Sequence, residues 1–164
     1  MTITLIDLKE LAQFLVKAKK QTYASGDAKR VSPQAPGFKE LEYTEGDWNY
    51  RDSYSGFYRA PGREVVRFKG KPVWDIHYVG GMKLGCYDDE QLAKNTFAFL
   101  KKALILVEES KPFRGPERFQ EGDYEYVCDV EGDITDFKGR ERILFKEKEV
   151  FVQDYFGGLI IHKC

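Results

Sequence analysis

One carboxylate in the sequence lies in a setting where it could bind a ligand. From residue 48 to residue 54 the chain reads WNYRDSY, so Trp48, Tyr50, Asp52 and Tyr54 share one face of a predicted strand. A carboxylate buried among aromatic rings is costly unless it is paired or hydrogen-bonded. The rings and the carboxylate suit a cationic or amine-bearing ligand, with Asp52 as the anionic anchor. The alternative is a structural Asp52 that only accepts a hydrogen bond from a tyrosine hydroxyl or a turn amide.

Two more residues extend this predicted site. Trp74 adds a ring from a later strand, and Glu64 is expected at the rim. We therefore expect a ligand to contact Trp48, Tyr50, Asp52, Tyr54, Glu64 and Trp74.

The chain contains an internal repeat, which is its strongest organisational signal. Residues 45–81 align with residues 121–158 when one gap follows Gly56 and Gly132, and fifteen aligned positions are identical. Because two copies are too few for a solenoid, we expect one domain, residues 1–164, in which the copies share a core about a pseudo-two-fold axis. Repeat 1 covers about residues 5–83 and repeat 2 about residues 88–161.

Positions that differ between the copies are the better candidates for a site, since shared residues are most simply explained by the fold. Asp52 aligns with Cys128, so only the first copy has a carboxylate on the aromatic face. Glu64 aligns with Glu141, which favours a structural role for both glutamates, such as pairing with an arginine or satisfying a turn.

Catalytic motifs are weak in this sequence. Asp52, Glu64 and His77 are the residues that could act as an acid or a base, which leaves an enzyme open as an alternative. His77 aligns with Asp154, and a pseudo-two-fold axis would bring the two together, although a surface or structural histidine is the simpler interpretation. The sequence has no GxSxG, GxGxxG, GK[ST] or HExxH motif and no acidic calcium loop, so we expect no cofactor and no metal.

Each copy is predicted to follow a helix. Asp7 has the position of an N-cap, with Glu10 three residues later, and a second helix is predicted from about residue 88 until Pro112 stops it. Alternation with a period of two and short turns then predict three antiparallel strands per copy. The predicted fold class is α+β, with two α-β-β-β repeats in pseudo-two-fold symmetry and a curved antiparallel sheet covered by two helices.

The amino-acid composition limits the possible partners and the location of the protein. The 26 basic and 27 acidic residues give a net charge of −1, whereas a nucleic-acid surface needs an excess of basic side chains, so we expect no direct nucleic-acid contact. Cys86, Cys128 and Cys164 are far apart and odd in number, which favours a reducing, cytoplasmic location over a disulfide framework. No signal peptide and no apolar stretch long enough to span a membrane is evident, so we expect no membrane partner.

Several motifs give the chain a resemblance to a known family. They are Thr22-Tyr23-Ala24, Gly46-Asp47, Asp52-Ser53-Tyr54, Pro72-Val73-Trp74, Arg114-Gly115-Pro116 and Gly157-Gly158. With these, the sequence resembles an uncharacterised prokaryotic domain family over nearly its whole length. Members of that family are found alone or appended to XRE-type helix-turn-helix regulators, and the resemblance implies no established activity. No helix-turn-helix precedes the domain here, so we expect any regulatory output to pass through a partner.

We therefore expect a small-molecule or effector-binding, sensor-type domain with a cleft between the two repeats, linked to transcriptional regulation through a partner. One alternative is a protein interaction or dimerisation module that uses the aromatic face for a homo-oligomer or a regulator partner, because tyrosine and tryptophan are common hot spots at interfaces. The other alternative is an enzyme that uses Asp52, Glu64 or His77.

Overall fold

A computed structural model describes residues 6–163 of the chain as two α-helices and eight β-strands, together with two short 3₁₀ turns. The elements are α1 (Leu8–Gln21), β1 (Lys39–Glu45), β2 (Trp48–Tyr54), β3 (Gly62–Phe68), β4 (Lys71–Met82), α2 (Glu90–Leu104), β5 (Arg118–Glu121), β6 (Tyr124–Asp133), β7 (Asp136–Phe145) and β8 (Lys148–Leu159). The 3₁₀ turns are Tyr23–Ser25 and Leu84–Cys86. Cys164 and the first residue of the predicted repeat 1 lie outside the described residues.

All eight strands form one open sheet, in which every neighbouring pair is antiparallel. Its order is β1-β2-β3-β4-β8-β7-β6-β5, so β4 and β8 form the central pair and β1 and β5 are the edges. Tyr78 on β4 lies directly opposite Tyr155 on β8. The predicted α+β class, with an antiparallel sheet and two helices, is confirmed.

The number of strands in each half differs from the prediction. Four strands follow each helix instead of the predicted three, and the additional strands are β1 and β5. Leu41 and Tyr43 alternate with charged or polar residues in β1, which is a readable strand pattern. β5 has four residues, of which only Phe119 is apolar, and such a short run carries almost no periodic signal.

The helices begin where the sequence indicates. The Asp7 side chain accepts hydrogen bonds from the backbone N–H groups of Lys9 and Glu10, at 2.8 and 3.2 Å, which confirms it as the N-cap of α1. Asp89 caps α2 in the same way, by accepting from the backbone N–H of Leu92 at 2.8 Å. Helix α2 ends earlier than predicted. It stops at Leu104, and turns follow up to residue 112.

The core lies on the helix-covered face of the sheet. It contains the fully buried side chains of Leu11 and Leu15 from α1, Leu100 from α2, and Tyr50 and Trp74 from the sheet. Burial of such large side chains is the main favourable term in the folding free energy. The opposite face of the sheet carries ion pairs between neighbouring strands instead of a second core. No helix within residues 6–163 combines the length and the apolar content needed to span a membrane.

Candidate functional site

A cavity of about 690 Å³ lies between α2, the 3₁₀ turn Tyr23–Ser25 and the helix-covered face of the sheet; we call it the α2 cavity. Its walls are mostly apolar and include Tyr54 and Ala60 from the first half of the chain and Phe97, Leu100 and Ile105 from α2 and the residue after it. The polar side chains at its floor are Asp52, Tyr78, Arg114 and Gln153. Cavities of this size and make-up are typical of small-molecule sites.

Asp52 is at the floor of this cavity although its side chain is only 3% exposed. The hydroxyl of Tyr78 donates a hydrogen bond of 2.6 Å to its Oδ1 atom. Burial, and then the charge of Glu64 directly opposite on β3, raise the pKa of Asp52 to about 7. The tyrosine hydrogen bond and the cavity, which were alternatives at the level of sequence, therefore occur together.

The position of Tyr78 depends on a glycine. A Cβ atom added at Gly62 would lie 2.3 Å from the Tyr78 hydroxyl, so any side chain there would push the ring away from Asp52. Gly139 and Tyr155 have the same relationship, with a distance of 2.4 Å. These glycines are therefore explained by the tyrosine rings that cross over them.

A network of buried charges lies behind the cavity floor. Arg114 donates from Nε and Nη2 to Oε1 of Glu141, at 3.0 and 2.7 Å, and Nη1 contacts Oε1 of Glu64 at 3.4 Å. Tyr126 donates to Glu141 at 2.6 Å, and Lys19 forms an ion pair with Glu64. Both glutamates thus have the arginine pairing that the sequence led us to expect. Two buried cations are matched by two glutamates, which leaves no counter-charge for a third carboxylate.

Burial raises the pKa of Asp52 most, and this balance explains why Arg114 and Lys19 do not bring the pKa back to its ordinary value. Burial lowers the pKa of Lys19, which the charge of Glu64 only partly offsets. Burial by itself would lower the pKa of Arg114. The charge of Glu141 and its hydrogen bonds to the guanidinium together outweigh burial and raise this pKa well above its usual value. Arg114 lies 5.2 Å from the centre of the Tyr78 ring, and so supports the floor from behind.

The aligned position in the second half holds a neutral group as well. Cys128 lies opposite Glu141 on β7, as Asp52 lies opposite Glu64 on β3. Its Sγ atom is 3.1 Å from the Tyr155 hydroxyl, and burial raises the pKa of its thiol. A buried position beside a glutamate and a tyrosine therefore holds a group that resists ionisation in both halves.

Two lysines without a carboxylate partner lie at the opening of the α2 cavity. The Nζ atom of Lys101 is 5.0 Å from the centre of the Tyr23 ring, and that of Lys39 is 5.9 Å from the centre of the Tyr54 ring. Within residues 6–163 neither lysine forms an ion pair with a carboxylate. Burial, and then the charge of Arg30, lower the pKa of Lys101. The opening therefore has an uncompensated positive charge.

Lys94 and Lys102 also line the opening, but each has an acidic neighbour. Lys94 pairs with Glu90 at 2.5 Å and Lys102 with Glu121 at 2.5 Å, and all four side chains are about half exposed or more. Exposed pairs of this kind are weak and leave the lysines free to move. Five cationic side chains thus line the cavity against one carboxyl, that of Asp52.

Of the predicted ligand-binding residues, Asp52 and Tyr54 line the α2 cavity. Tyr50 and Glu64 lie deeper, beside a void of about 20 Å³ that Lys19 also lines. The carboxylate of Glu64 is therefore in the buried network and not at a rim.

The two tryptophans lie away from the cavity. Trp48 stacks on Phe14 of α1 with ring centres 5.4 Å apart and contacts Phe68 at 4.5 Å. Trp74 is fully buried, and its indole N–H donates to the backbone carbonyl of Ile134 at 2.9 Å. Both rings pack the core between helix and sheet, so the predicted set of six residues is not one contiguous site.

His77 does not meet Asp154, and its side chain is 40% exposed, as the simpler interpretation of a surface or structural histidine predicts. Its Nε2 atom lies 3.3 Å from Asp75, and its ring stacks on Phe156 with centres 5.6 Å apart. Asp154 instead pairs with Arg140 at 2.6 Å. The antiparallel register puts Phe156, not Asp154, opposite His77, which is why the two do not meet.

Several cavity residues were not predicted from the sequence. Arg114 lies in a loop, and its Arg-Gly-Pro motif was noted only as part of the family resemblance. Tyr78 aligns with Tyr155 in the second copy, and a residue that both copies share is most simply explained by the fold. Lys94, Lys101 and Phe97 recur at helical spacing, but no sequence pattern says which strands that face of α2 covers.

No group of three or more His, Cys, Asp or Glu residues within the described chain could hold a metal ion.

The comparisons with known proteins place the chain by family alone. A family model described as a domain of unknown function (DUF5680) matches residues 52–160. Comparison with the curated proteins and with the solved structures gave no match. The matched segment includes Asp52, Tyr78, Arg114 and all of α2, which together make the floor and one wall of the cavity.

Proposed function

Because the chain belongs to the DUF5680 family, a domain of unknown function, we propose its function from the site itself: the domain binds a small organic molecule in the α2 cavity. One observation carries this proposal, namely that a carboxyl group 3% exposed lies at the floor of a cavity of about 690 Å³ with apolar walls. Buried ionisable groups are costly to a fold, so their presence in a cavity is a common sign of a binding site.

The construction of the cavity supports the proposal. Three of the four polar side chains at its floor, Asp52, Tyr78 and Gln153, lie on the strands β2, β4 and β8, which hold side chains more precisely than loops do. The few polar groups converge on the floor, where Asp52 and Tyr78 are already joined and Arg114 is fixed by Glu141. A preorganised site of this kind loses little conformational entropy when a ligand binds.

The location of the cavity fits the cleft expected between two repeats. Tyr23, Lys39 and Asp52 come from the segment assigned to repeat 1, whereas Lys101 and Gln153 come from repeat 2. The mirrored strand order, β1 to β4 on one side and β8 to β5 on the other, supports a duplicated unit about a pseudo-two-fold axis between β4 and β8. In this proposal the first copy gained a carboxyl group where the second holds Cys128.

We extend the proposal to a sensor role, in which ligand binding changes how the domain interacts with a partner protein. Its support is the resemblance to a family whose members are attached to helix-turn-helix regulators. The geometry is compatible with it, because the cavity joins elements from the two proposed repeats, and a ligand there would contact both.

A thermal-shift screen of small organic molecules tests the binding proposal. Ala98 is an exposed residue of α2 that lines the cavity, so Ala98→Trp should fill the opening without disturbing the core. Asn95→Trp places the same ring on the same helix outside the cavity and is the matched control. We expect compounds that raise the melting temperature of the wild type and of Asn95→Trp but not of Ala98→Trp. Compounds that stabilise all three proteins equally, or no stabilising compound at all, would contradict the proposal.

A further inference from the structure

The charges around the α2 cavity have one dominant sign. Lys39 and Lys101 lie at its opening with no carboxylate partner in residues 6–163, and Arg30 is close enough to lower the pKa of Lys101. The acidic groups nearest the floor are Asp52 and the two glutamates, and both glutamates are taken up by Lys19 and Arg114. An approaching ligand therefore meets positive charge first, which favours an anion.

The aromatic rings at the opening are also occupied by cations. Lys101 lies over Tyr23 and Lys39 over Tyr54, and the two rings contact each other edge to face with centres 5.9 Å apart. The faces that would attract an amine through cation–π contact thus already carry an ammonium group of the protein. An amine would be repelled by these like charges, whereas an anion would be attracted to both ammonium groups.

The remainder of the cavity suits an apolar body. Phe97, Leu100 and Ile105 line the wall formed by α2 and the residue after it, with Ala60 opposite. Removal of apolar ligand surface from water against these side chains supplies the non-directional part of the affinity.

From this arrangement, and resting on the proposed function, we propose that the ligand is a small organic anion, with a carboxylate or phosphate head held between Lys39 and Lys101 and an apolar body along α2. This differs from the amine-bearing ligand expected from the sequence, which placed Asp52 among rings but had no means of placing the lysines. Asp52 and Tyr78 then lie beneath the ligand, joined by their hydrogen bond, and the positive charge at the opening outnumbers the single carboxyl of Asp52.

A panel of matched ligands tests the sign of the charge. The panel combines three apolar bodies, phenylpropyl, naphthylmethyl and octyl, with four head groups: carboxylate, phosphate monoester, primary amide and primary amine. Each compound is titrated by calorimetry into the intact protein and into Ala98→Trp. We expect the carboxylate or the phosphate to bind at least about tenfold more tightly than the amide of the same body, and the amine to bind more weakly than the amide. The stronger of the two anionic arms identifies the head group.

Two lysine variants locate the charge that is responsible. Lys101→Met and Lys39→Met should each weaken binding of the anion by about five- to tenfold and leave binding of the amide unchanged, because charge-assisted contacts are lost only with the anion. Lys20→Met removes one exposed positive charge of α1 outside the cavity, and should change neither affinity.

The outcomes separate this inference from the proposed function. If amides or amines bind as tightly as the anions, and Ala98→Trp abolishes that binding, the cavity is a ligand site but the anionic class is wrong. If no member of the panel binds, or if binding is the same in Ala98→Trp, both proposals are overturned.

Discussion

The hydroxyl of Tyr78 donates a hydrogen bond of 2.6 Å to Asp52, and the two side chains come from strands separated by β3 in the sheet. Tyr78 reaches across β3 because Gly62 has no side chain to block its ring. The bond fixes the carboxyl at the cavity floor, and burial there raises its pKa to about 7. The carboxyl of Asp52 is thus only partly ionised near neutral pH.

The raised pKa of Asp52 predicts a particular pH dependence of stability. The folded protein keeps a proton on Asp52 up to about pH 7, whereas the unfolded chain releases it near the ordinary aspartate pKa of 3.8, so the free energy of unfolding falls as pH rises between these values and is level above. The Asp52→Asn variant has no titratable group at position 52. The free energy of unfolding of the wild type minus that of the variant should therefore fall by about 1–3 kcal/mol from about pH 5 to about pH 8. Urea unfolding at several pH values measures it.

The charged and titratable groups that face Asp52 are present in both proteins, so only the Asp52 carboxyl differs in this comparison. They are Lys19 from α1, Glu64 from β3, Tyr78 from β4 and Arg114 from the chain before β5. Asp129→Asn, which removes an exposed carboxylate of β6, is the control. Parallel stability profiles of the wild type and Asp52→Asn would show that Asp52 is ionised throughout.

The same titration should control anion binding. Below about pH 7 the Asp52 carboxyl is neutral, and above it the carboxylate repels an anionic ligand, so the affinity for phenylpropionate should fall as pH rises, by at most about tenfold per pH unit. Calorimetric titration of the wild type and Asp52→Asn at about pH 6 and about pH 8 measures this. An equal loss in both proteins would assign the effect to another group.

Arg114 should be essential for stability, because it is the buried partner of Glu64 and Glu141. Arg114→Met leaves Glu141 buried without its cation, and we expect a loss of about 3–5 kcal/mol in the free energy of unfolding. Arg140→Met breaks the exposed pair with Asp154 and should cost far less, because exposed ion pairs contribute little to stability. Urea unfolding compares them, and equal losses would mean that the network contributes no more than a surface pair.

Gly62 should be required for the position of Tyr78. Gly62→Ala places a methyl group against the ring, and we expect a loss of about 1–3 kcal/mol. In a Tyr78→Leu background the ring is absent, so the same change should cost less, and the backbone oxygen of Ser53, 2.7 Å from the added Cβ, accounts for the cost that remains. A double-mutant cycle measures the difference. Gly85→Ala is the control, since no atom lies within 4 Å of the added Cβ. Additive costs at positions 62 and 78 would contradict the contact.

Trp48 should act in packing and not in assembly. Its ring lies between Phe14 and Phe68, so Trp48→Ala should lower the free energy of unfolding by about 2–4 kcal/mol. The binding of phenylpropionate should be unchanged, because Trp48 does not line the cavity. Light scattering on the same variant tests the dimerisation alternative, since a dimer lost on this substitution would favour an interface at the aromatic face.

Local features of the fold were readable from the sequence. The alternation in WNYRDSY predicts β2 and its face, since Tyr50 and Asp52 are buried together. The N-cap at Asp7 follows from side-chain chemistry within three residues. A structural role for Glu64 and Glu141, such as pairing with an arginine or satisfying a turn, was expected because both copies share the glutamate, and both in fact pair with Arg114.

The composition of the cavity was not readable, because it depends on contacts between distant segments. Arg114 reaches Glu64, fifty residues earlier, from a loop that has no periodic pattern. Lys101 lies over Tyr23 only because α2 crosses the 3₁₀ turn that follows α1. The sequence predicts the strand face of Asp52 but does not show that a lysine of α2 lies above that face. The expectation of an amine-bearing ligand therefore rested on the strand alone.

The most direct test of the account is a methyl NMR titration of the protein with phenylpropionate. Ala98, Leu100 and Ile105 carry methyl groups at the cavity wall, whereas Val66 and Ile143 are fully buried core residues outside it. The account predicts saturable shifts at the first three and none at the last two, and no such shifts in Ala98→Trp. Shifts at Val66 and Ile143, or cavity methyl groups that stay unperturbed while phenylpropionate binds, would contradict it.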